Sequence, residues 1–358
     1  MIDTLKKRYE NDKQAWDECA DTYERQIVGG HPDITAFESF EEDFLDRVIR
    51  YLAEKQNRFI KLLDIGCGSG RLHLRYGAKT KKVTDLELEN PLRMRKIHSP
   101  GLSYDPHIAE KLEEVWGIDF SENMISMARE KLRKARLDKE STISLRFATG
   151  SAFDLKEEPD DVLPIAVCLV NSIGVMQGFD GAQELFKSMR RAVEKAKGIA
   201  IISCYQQEYI ESYGLGQYES TMDVSGQPIW MIPEKFASPD FIQVPKQYKL
   251  AYNESQKCMV DAFTTQGNLV RKDHVLIRDS DITAHTIASG DINTYTNYKS
   301  HWYSFSKVNE FINNLWEPGS SFHVKTKQLD AVRAEPAQIA ILDFGSLLGP
   351  LLKRWGVI

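Results

Sequence analysis

Apolar and polar positions divide the chain into stretches of different period. In the first 58 residues apolar side chains recur at helical spacing, as in RVIRYLAEK at 47–55, and VGGHPD at 28–33 indicates a loop between helices. From residue 59 onward, near-continuous apolar runs lie at 59–65, 115–118, 144–148, 165–170 and 199–203. Amphipathic stretches at 121–137 and 181–197 separate later runs. This alternation predicts βαβ units and a mostly parallel α/β sheet.

Two stretches interrupt the alternation. Residues 78–112 stand where a short loop would join the first core helix to the second strand. They enter at the amino end of that strand, so we expect a role in packing or homo-oligomer formation rather than in catalysis. Residues 205–300 follow the fifth strand, and strand-like runs lie within them at 228–232, 247–253, 257–265 and 268–277. We expect them to form a small antiparallel sheet that acts as a lid over the site.

The end of the chain returns to a regular pattern. SFSKVNEFINNLW at 304–316 indicates a helix behind a serine cap, and runs at 322–332 and 337–345 predict a hairpin of two strands. The domain boundaries that follow are a helical cap at 1–58, a core at 59–204, a lid insertion at 205–300, and a helix and hairpin at 301–358 that complete the core.

Composition and charge exclude several classes of protein. No apolar run approaches the roughly 18 residues of a membrane span, and the polar start MIDTLKKRYENDKQ lacks the apolar core of a signal peptide. Five scattered cysteines show no spacing typical of disulfide frameworks or zinc sites. A net charge of -6 without a long basic stripe argues against a nucleic-acid partner. We therefore expect a cytoplasmic protein without a metal, a nucleic acid or a membrane as partner.

The segment LLDIGCGSG at 62–70 carries the strongest chemical signal. Gly66 and Gly68 allow a tight turn and a close backbone approach to a ligand, and Gly70 lets the next helix pack against the sheet. The GxGxG spacing is shorter than the GxGxxG of dinucleotide sites, which seat a pyrophosphate at a helix N-terminus. Asp64 at the strand end suits a ligand that carries a cation. Cys67 is interpreted as a small residue that fits the loop rather than as a nucleophile.

This loop resembles the first motif, E/D-x-G-x-G-x-G, of the class I S-adenosylmethionine-dependent methyltransferases. The resemblance implies a Rossmann-like, mostly parallel seven-stranded sheet with a C-terminal antiparallel hairpin, and S-adenosyl-L-methionine as cofactor, with its methionine part facing the glycine loop. In that family an acidic residue at the end of the second strand binds both ribose hydroxyls, and a carboxylate can accept from both at once. Asp119 in VWGIDFS at 115–121 stands at that place. Phe120 and Met124 would then flank the adenine.

Two later segments extend the resemblance. GSAFDL at 150–155 is similar to the family's G-D-A-x-D-L, with Ser151 in place of the usual aspartate and Ala152 next to it, on the adenine side. CLVNSIG at 168–174 resembles the fourth-strand motif of the glycine-type N-methyltransferases, and it implies that Asn171 and Ser172 lie near the transferred methyl group.

An N-terminal element completes the set. WDECADTY at 16–23 looks like the Y-D-x-x-A-x-x-Y element that covers the cofactor in small-molecule methyltransferases, with Trp16 in place of the first tyrosine and Tyr23 as the second. An aromatic face against a sulfonium is a favourable cation–π arrangement. Because these two residues lie seven positions apart, packing in a helical core is the alternative interpretation.

The resemblance implies in-line methyl transfer to a small polar acceptor, an amine or hydroxyl of an amino acid or natural-product-like metabolite. The protein must align the acceptor lone pair and exclude water, and a base must take the acceptor's proton. Candidate bases are His301 and Tyr303 in SHWYS at 300–304, and Tyr205 after the fifth strand; a loop or core position is the alternative for His301. The alternative functions are other chemistry on the same cofactor, such as cyclisation, and non-enzymatic cofactor binding.

Overall fold

The protein is described by a computed structural model that covers residues 13, 14, 16, 17 and 20, and the ranges 32–78, 107–176, 178–206, 303–315, 321–326 and 337–357. Between 221 and 302 it describes the backbone of eight short strands.

The first half of the chain alternates helices with strands. Its helices are α1 (Pro32–Lys55), α2 (Arg71–Ala78), α3 (His107–Lys111), α4 (Glu122–Lys134), α5 (Leu137–Glu140) and α6 (Gly178–Val193), and a 3-10 turn spans Ser172–Val175. Its strands are β1 (Ile60–Ile65), β2 (Leu112–Asp119), β3 (Ser144–Thr149), β4 (Leu163–Cys168) and β5 (Ile199–Tyr205). Helix α1 begins inside the predicted loop at 28–33, because a proline, with its fixed φ and no N–H, is well suited to a first helical turn.

The first predicted insertion enters the sheet where the sequence places it. Helix α2 ends at Ala78, and α3 leads directly into β2 at Leu112, so the second end of this insertion lies at the amino end of β2. Residues 79–106 lie outside the described residues, and their role in oligomer formation stays a prediction.

The second insertion contributes short paired strands. These are β6 (Thr221–Met222), β7 (Pro228–Ile229), β8 (Ile232–Glu234), β9 (Leu250–Asn253), β10 (Cys258–Asp261), β11 (Asp273–Val275), β12 (Ile282–Ala288) and β13 (Asn297–Tyr303). The pairs β6–β7, β9–β10 and β12–β13 are antiparallel, but β8 pairs with β11 in parallel. The described strands thus form four two-stranded units rather than the single antiparallel sheet expected. The β8–β11 pair is parallel because a long connection, not a hairpin, joins its strands.

The chain ends with α7 (Phe305–Leu315), β14 (Ser321–Lys325), β15 (Ala337–Asp343) and α8 (Gly349–Arg354). The seven core strands form one sheet in the order β14-β15-β5-β4-β1-β2-β3, in which β1 to β5 are parallel and β15 is antiparallel to both of its neighbours. The predicted seven-stranded, mostly parallel sheet with an antiparallel C-terminal pair is confirmed. The strand order reverses between β1 and β4, and open α/β sheets bind ligands at the carboxyl edge beside such a reversal.

Apolar side chains cover both faces of the sheet. Along β1, Leu62 faces the core under α1, α2 and α8, whereas Leu63 faces the core under α6 and α7. This full burial on both faces explains why the parallel strands appear in the sequence as continuous apolar runs. Among the described residues, no helix combines the length and apolar character that crossing a bilayer requires.

Candidate cofactor site

A cavity lies at the carboxyl edge of β1 and β2, beside the reversal of strand order. It contains about 680 Å³ of empty space, part of which is open to solvent. The cavity is lined by Trp16, Gly66, Gly68, Ile118, Asp119, Phe120, Met124, Gly150, Ala152, Phe153, Ser172, Val175 and Met176. Most of these side chains are apolar, and Asp119 is the charged group among them.

The glycine loop forms one wall of this cavity. Gly66 and Gly68 have φ angles of +70° and +50°, in the left-handed region that glycine adopts readily. A Cβ on Gly66 would lie 2.9 Å from the Cβ of Ser172, whereas a Cβ on Gly68 would meet no atom within 4 Å. Gly66 is therefore required by the close approach of the 3-10 turn, and Gly68 keeps its side of the loop open toward the cavity.

Gly70 and Cys67 pack behind this wall. A Cβ on Gly70 would lie 2.8 Å from the ring of Phe147 on β3, so the start of α2 packs closely on the sheet as expected. The Cys67 side chain is buried, and burial raises the pKa of its thiol well above the usual value. A neutral thiol is a weak nucleophile, which agrees with a packing role for Cys67.

Asp119 ends β2 inside the cavity. Its Oδ2 accepts a hydrogen bond from the Gly68 N–H at 2.9 Å, and its Oδ1 accepts one from the Ser121 N–H at 2.9 Å. Burial raises the pKa of this carboxyl group to about 6, while the backbone N–H groups act against the rise. Each carboxylate oxygen keeps a second lone pair, so the group can still accept from two vicinal hydroxyls. Asp119 thus fits the ribose of S-adenosylmethionine.

The N-terminal element closes the side of the cavity next to Asp119. Trp16 is buried against Met124 and Phe120, both of which line the cavity. The adjacent Asp17 accepts hydrogen bonds through Oδ1 from the Ser121 hydroxyl at 2.6 Å and from the Asn123 N–H at 3.2 Å. The start of α4 therefore holds this element in place. Tyr23 lies outside the described residues.

The 3-10 turn after β4 forms the wall next to the glycine loop, and the Ser172 hydroxyl lies 3.4 Å from the Gly66 carbonyl oxygen. Ser172 lines the cavity and its hydroxyl donates to the Leu169 carbonyl at 2.7 Å. Asn171 is buried behind the turn, where its Oδ1 accepts from the Tyr205 N–H at 3.1 Å. Of the two residues expected near the methyl group, Ser172 thus lines the cavity. Asn171 does not line it, and its side chain instead connects the turn to β5.

The segment after β3 supplies a further part of the wall. Ala152 lines the cavity, whereas Ser151 is not among the lining residues and its hydroxyl accepts a local hydrogen bond from the Phe153 N–H at 3.2 Å. Sequence analysis did not single out five of the lining residues, namely Ile118, Gly150, Phe153, Val175 and Met176. Four of them stand in or directly next to a recognised motif. The fifth, Met176, lies four residues after Ser172, and this helical spacing is the sequence signal that places both on one side of the turn.

Asp64 lies behind the glycine loop rather than among the lining residues. Its carboxyl group is buried, and its Oδ2 is 3.9 Å from Nδ1 of the fully buried His73. Burial raises the pKa of Asp64 to about 7, while Arg71 lowers it, and Asp119 and Glu41 raise it further. Such an acid suits a nearby ligand cation, which favours the ionised form.

The three candidate bases are dispersed. Tyr303 is fully buried on the α7 side of the sheet, with its ring edge-on to Phe311, and burial raises the pKa of its phenol well above the usual value. Tyr205 is half-buried and packs on the opposite face. His301 lies on β13 opposite Ala284, and its side chain is outside the described part. Neither tyrosine lines the cavity, and in the part of the chain that the structure describes no cluster of His, Cys, Asp or Glu is arranged to hold a metal.

Comparison with known families shows the family to which this chain belongs. A sequence model of the ubiE/COQ5 methyltransferase family matches residues 33–214, just over half of the chain. The chain belongs to the ubiE/COQ5 methyltransferase family. This methyltransferase is S-adenosylmethionine-dependent, as the glycine loop and Asp119 indicate. The narrower resemblance to glycine-type N-methyltransferases stays a prediction.

Solved structures similar to this methyltransferase share little sequence with it. An S-adenosylmethionine-dependent methyltransferase from Clostridium acetobutylicum is 12% identical at a TM-score of 0.43, covering 86% of this chain and 92% of that one. A methyltransferase from Methanosarcina mazei is 11% identical at a TM-score of 0.41, covering 81% and 94%. Magnesium protoporphyrin IX methyltransferase from Synechocystis, solved with bound SAH, is 16% identical at a TM-score of 0.30, covering 50% of this chain and 64% of that one. No curated protein matches the chain.

Proposed function

We propose that this methyltransferase transfers the methyl group of S-adenosylmethionine to an amine or hydroxyl of a small polar molecule, such as an amino acid or a natural-product-like metabolite. The observation that carries the proposal is the path of β13. Its backbone lies against the 3-10 turn Ser172–Val175, and Tyr303 at its end pairs with Gln206 just after β5. The insertion thus returns to the cavity wall, which favours an enclosed site and a small acceptor.

The cofactor supplies an electrophilic methyl group on a sulfonium. The protein's part is then to hold the acceptor in line with that group and to keep water away, which contributes several kcal/mol through orientation. Trp16, Phe120 and Met124 form an apolar surround on the Asp119 side, and Ser172 and Met176 stand at the opposite wall. The acceptor would lie between that wall and the returning strand β13.

Proton removal from the acceptor is assigned to His301 within this proposal. The residue belongs to β13, the strand whose backbone lies against the cavity wall, whereas Tyr303 and Tyr205 pack into the two cores. An imidazole is neutral and basic at physiological pH, as a general base must be. His301→Gln should lower turnover most at and above neutral pH, where the wild-type imidazole is neutral and able to accept a proton, and equal turnover of the variant and the wild type across pH removes His301 from this role.

A polynucleotide or a membrane is not the proposed partner. Net charge is -6, and several exposed cations are engaged in ion pairs. Examples are Arg133 with Glu130, Lys187 with Glu184, and Arg190 with Glu194. Paired cations neutralise phosphate groups poorly, which supports a small-molecule acceptor.

The test is a transfer assay with methyl-labelled S-adenosylmethionine and a panel of amines, amino acids and phenols. The proposal expects the label in one class of small product, together with an equal amount of S-adenosylhomocysteine by mass spectrometry. Cofactor consumption without any labelled acceptor would indicate other chemistry, and label found only in added RNA or protein would refute the small-molecule assignment.

A further inference from the structure

Glu41 is a buried acid of α1 that is bonded to the segments behind both walls of the cavity. Only 1% of the residue is exposed. Its Oε1 accepts a hydrogen bond from the Val170 N–H at 2.8 Å and one from the Ser203 hydroxyl, and its Oε2 lies 3.0 Å from Nη2 of Arg71. These partners belong to the end of β4, to β5 and to the start of α2. One carboxylate therefore connects three elements that are far apart in sequence.

Arg71 connects Glu41 to the glycine-loop wall. It follows Gly70 directly and is the first residue of α2. Its guanidinium also donates to the Glu38 carbonyl at 3.1 Å and to Oε1 of Glu42 at 3.3 Å. Planar guanidinium–carboxylate pairs of this kind fix orientation as well as distance. The position of the loop's last residue relative to α1 is thus set by this contact.

Val170 connects Glu41 to the wall formed by the 3-10 turn. Val170 and Asn171 have φ angles of +50° and +57°, so two consecutive non-glycine residues are left-handed immediately before Ser172. This conformation is rare, and for a β-branched residue such as valine it is a genuine outlier that surrounding contacts must hold. The Val170 N–H donates to Glu41 and also to the Ser203 hydroxyl at 3.2 Å, and the Asn171 side chain holds the Tyr205 N–H.

A carboxylate suits this place better than its neutral isostere. Burial raises the pKa of Glu41, while the Arg71 guanidinium and the bonds from Ser203 and Val170 act against that rise. In glutamine one of the two terminal atoms is an N–H2 donor. That donor would face either the Arg71 guanidinium or the Val170 N–H, and both are donors themselves. Glutamine can therefore accept a hydrogen bond from Arg71 or from Val170, but not from both.

We propose that Glu41 is a positioning residue that sets the separation of the glycine loop and the 3-10 turn, and thereby the fit of the amino-acid part of the cofactor. Gly66 and Ser172 already touch across this gap, so a small shift of either wall changes its shape. The adenosine part would be held elsewhere, by Asp119 and the apolar surround of Trp16, Phe120 and Met124. Loss of Glu41 should therefore weaken recognition of the amino-acid part selectively.

Two ligands separate the effect from a general loss of stability. S-adenosylhomocysteine carries the amino-acid part, and 5′-methylthioadenosine shares its adenosine and thioether but lacks that part. By titration calorimetry Glu41→Gln should weaken S-adenosylhomocysteine binding about tenfold and 5′-methylthioadenosine binding by less than about twofold. Both measurements need no acceptor, so their failure is distinguishable from failure of the proposed function.

Asp46→Asn is the matched control. Asp46 is a buried acid on the same helix, but its hydrogen bonds come from Arg75 at 2.7 Å and Tyr76 at 3.0 Å, which do not line the cavity. We expect it to lower the melting temperature without changing the ratio of the two dissociation constants.

An unchanged ratio in Glu41→Gln, or an equal change in Asp46→Asn, would overturn the proposal, because both results indicate a merely structural acid. If Glu41→Gln does not fold, Ser203→Ala replaces it. Ser203→Ala keeps the carboxylate and removes one donor, and it should change the ratio about twofold to threefold in the same direction. An unchanged ratio in that variant would overturn the proposal as well.

Discussion

Replacing Asp64 by asparagine should change how the stability of the ligand-free protein depends on pH. Burial raises the pKa of Asp64 to about 7, from an ordinary value of about 3.9. The folded protein therefore keeps this proton to a higher pH than the unfolded chain does. The contribution of Asp64 to the free energy of unfolding is fully present below about pH 4 and is lost as the pH rises through about 7. At about 1.4 kcal/mol per pH unit the whole loss is about 4 kcal/mol.

Urea denaturation, monitored by tryptophan fluorescence at a series of pH values, measures this change in the free energy of unfolding. Between about pH 5 and about pH 7 the wild type should lose about 2 kcal/mol relative to Asp64→Asn, because asparagine does not titrate and folded Asp64 is half-ionised at about pH 7. Acids that do not interact with Asp64 contribute the same slope to both proteins. Asp119 and Glu41 raise the pKa of Asp64, so their own pKa values should fall in the variant, and the difference between the two curves reports Asp64 together with this coupling. Asp160→Asn, at an exposed position, is the control and should give a curve parallel to that of the wild type. Parallel curves for Asp64→Asn itself would refute the reasoning from burial.

Further variants test the walls of the cavity. Asp17→Ala removes the group that holds the N-terminal element to α4 and should weaken S-adenosylmethionine binding about fivefold to tenfold in calorimetry. The control Lys13→Ala breaks a surface ion pair and should change the same dissociation constant by less than about twofold. Equal effects of the two variants would contradict a role of Asp17 in holding this element. Gly66→Ala and Gly68→Ala both place a Cβ at positive φ, which should lower the free energy of unfolding by about 1–2 kcal/mol in each variant. Because only the alanine at position 66 also overlaps the 3-10 turn, it should melt at the lower temperature, and equal melting temperatures would argue against the close contact. Trp16→Leu should reduce the preference for the sulfonium cofactor over its neutral product by about 0.5–2 kcal/mol in parallel titrations, and an unchanged preference excludes a cation–π contact.

Much of the fold follows from local pattern. Strands β1 and β4 are buried on both faces, so their apolar runs are visible in the sequence without knowledge of their neighbours. Boundaries are less predictable, because they depend on partners: β2 begins at Leu112, three residues before its apolar run, where it pairs with Ile60 of β1. The parallel pairing of β8 with β11 depends on contacts distant in sequence, and no turn signal encodes it.

Part of the cofactor site is equally local, because Asp64, Gly66 and Asp119 stand at strand ends within recognisable motifs. Glu41 is different. On an amphipathic helix an acidic stripe is typical of a solvated face, and nothing local distinguishes an acid that is buried against another element. The spacing that Glu42 and Asp46 share with Arg71 and Arg75, four residues in each case, is a signal that two helices pair through charge, and it becomes informative only once α1 and α2 are known to be neighbours.

The pairing of Gln206 with Tyr303 has a consequence for how such a protein can diversify. The insertion leaves the sheet after β5 and returns beside that exit, just before α7, so a change in its length leaves the strand order of the core unaffected. Extending a loop whose ends already meet costs only about 0.6 kcal/mol for each doubling of its length. The whole segment can therefore be lengthened or exchanged as a unit, while the seven-stranded core keeps its sequence and its strand order.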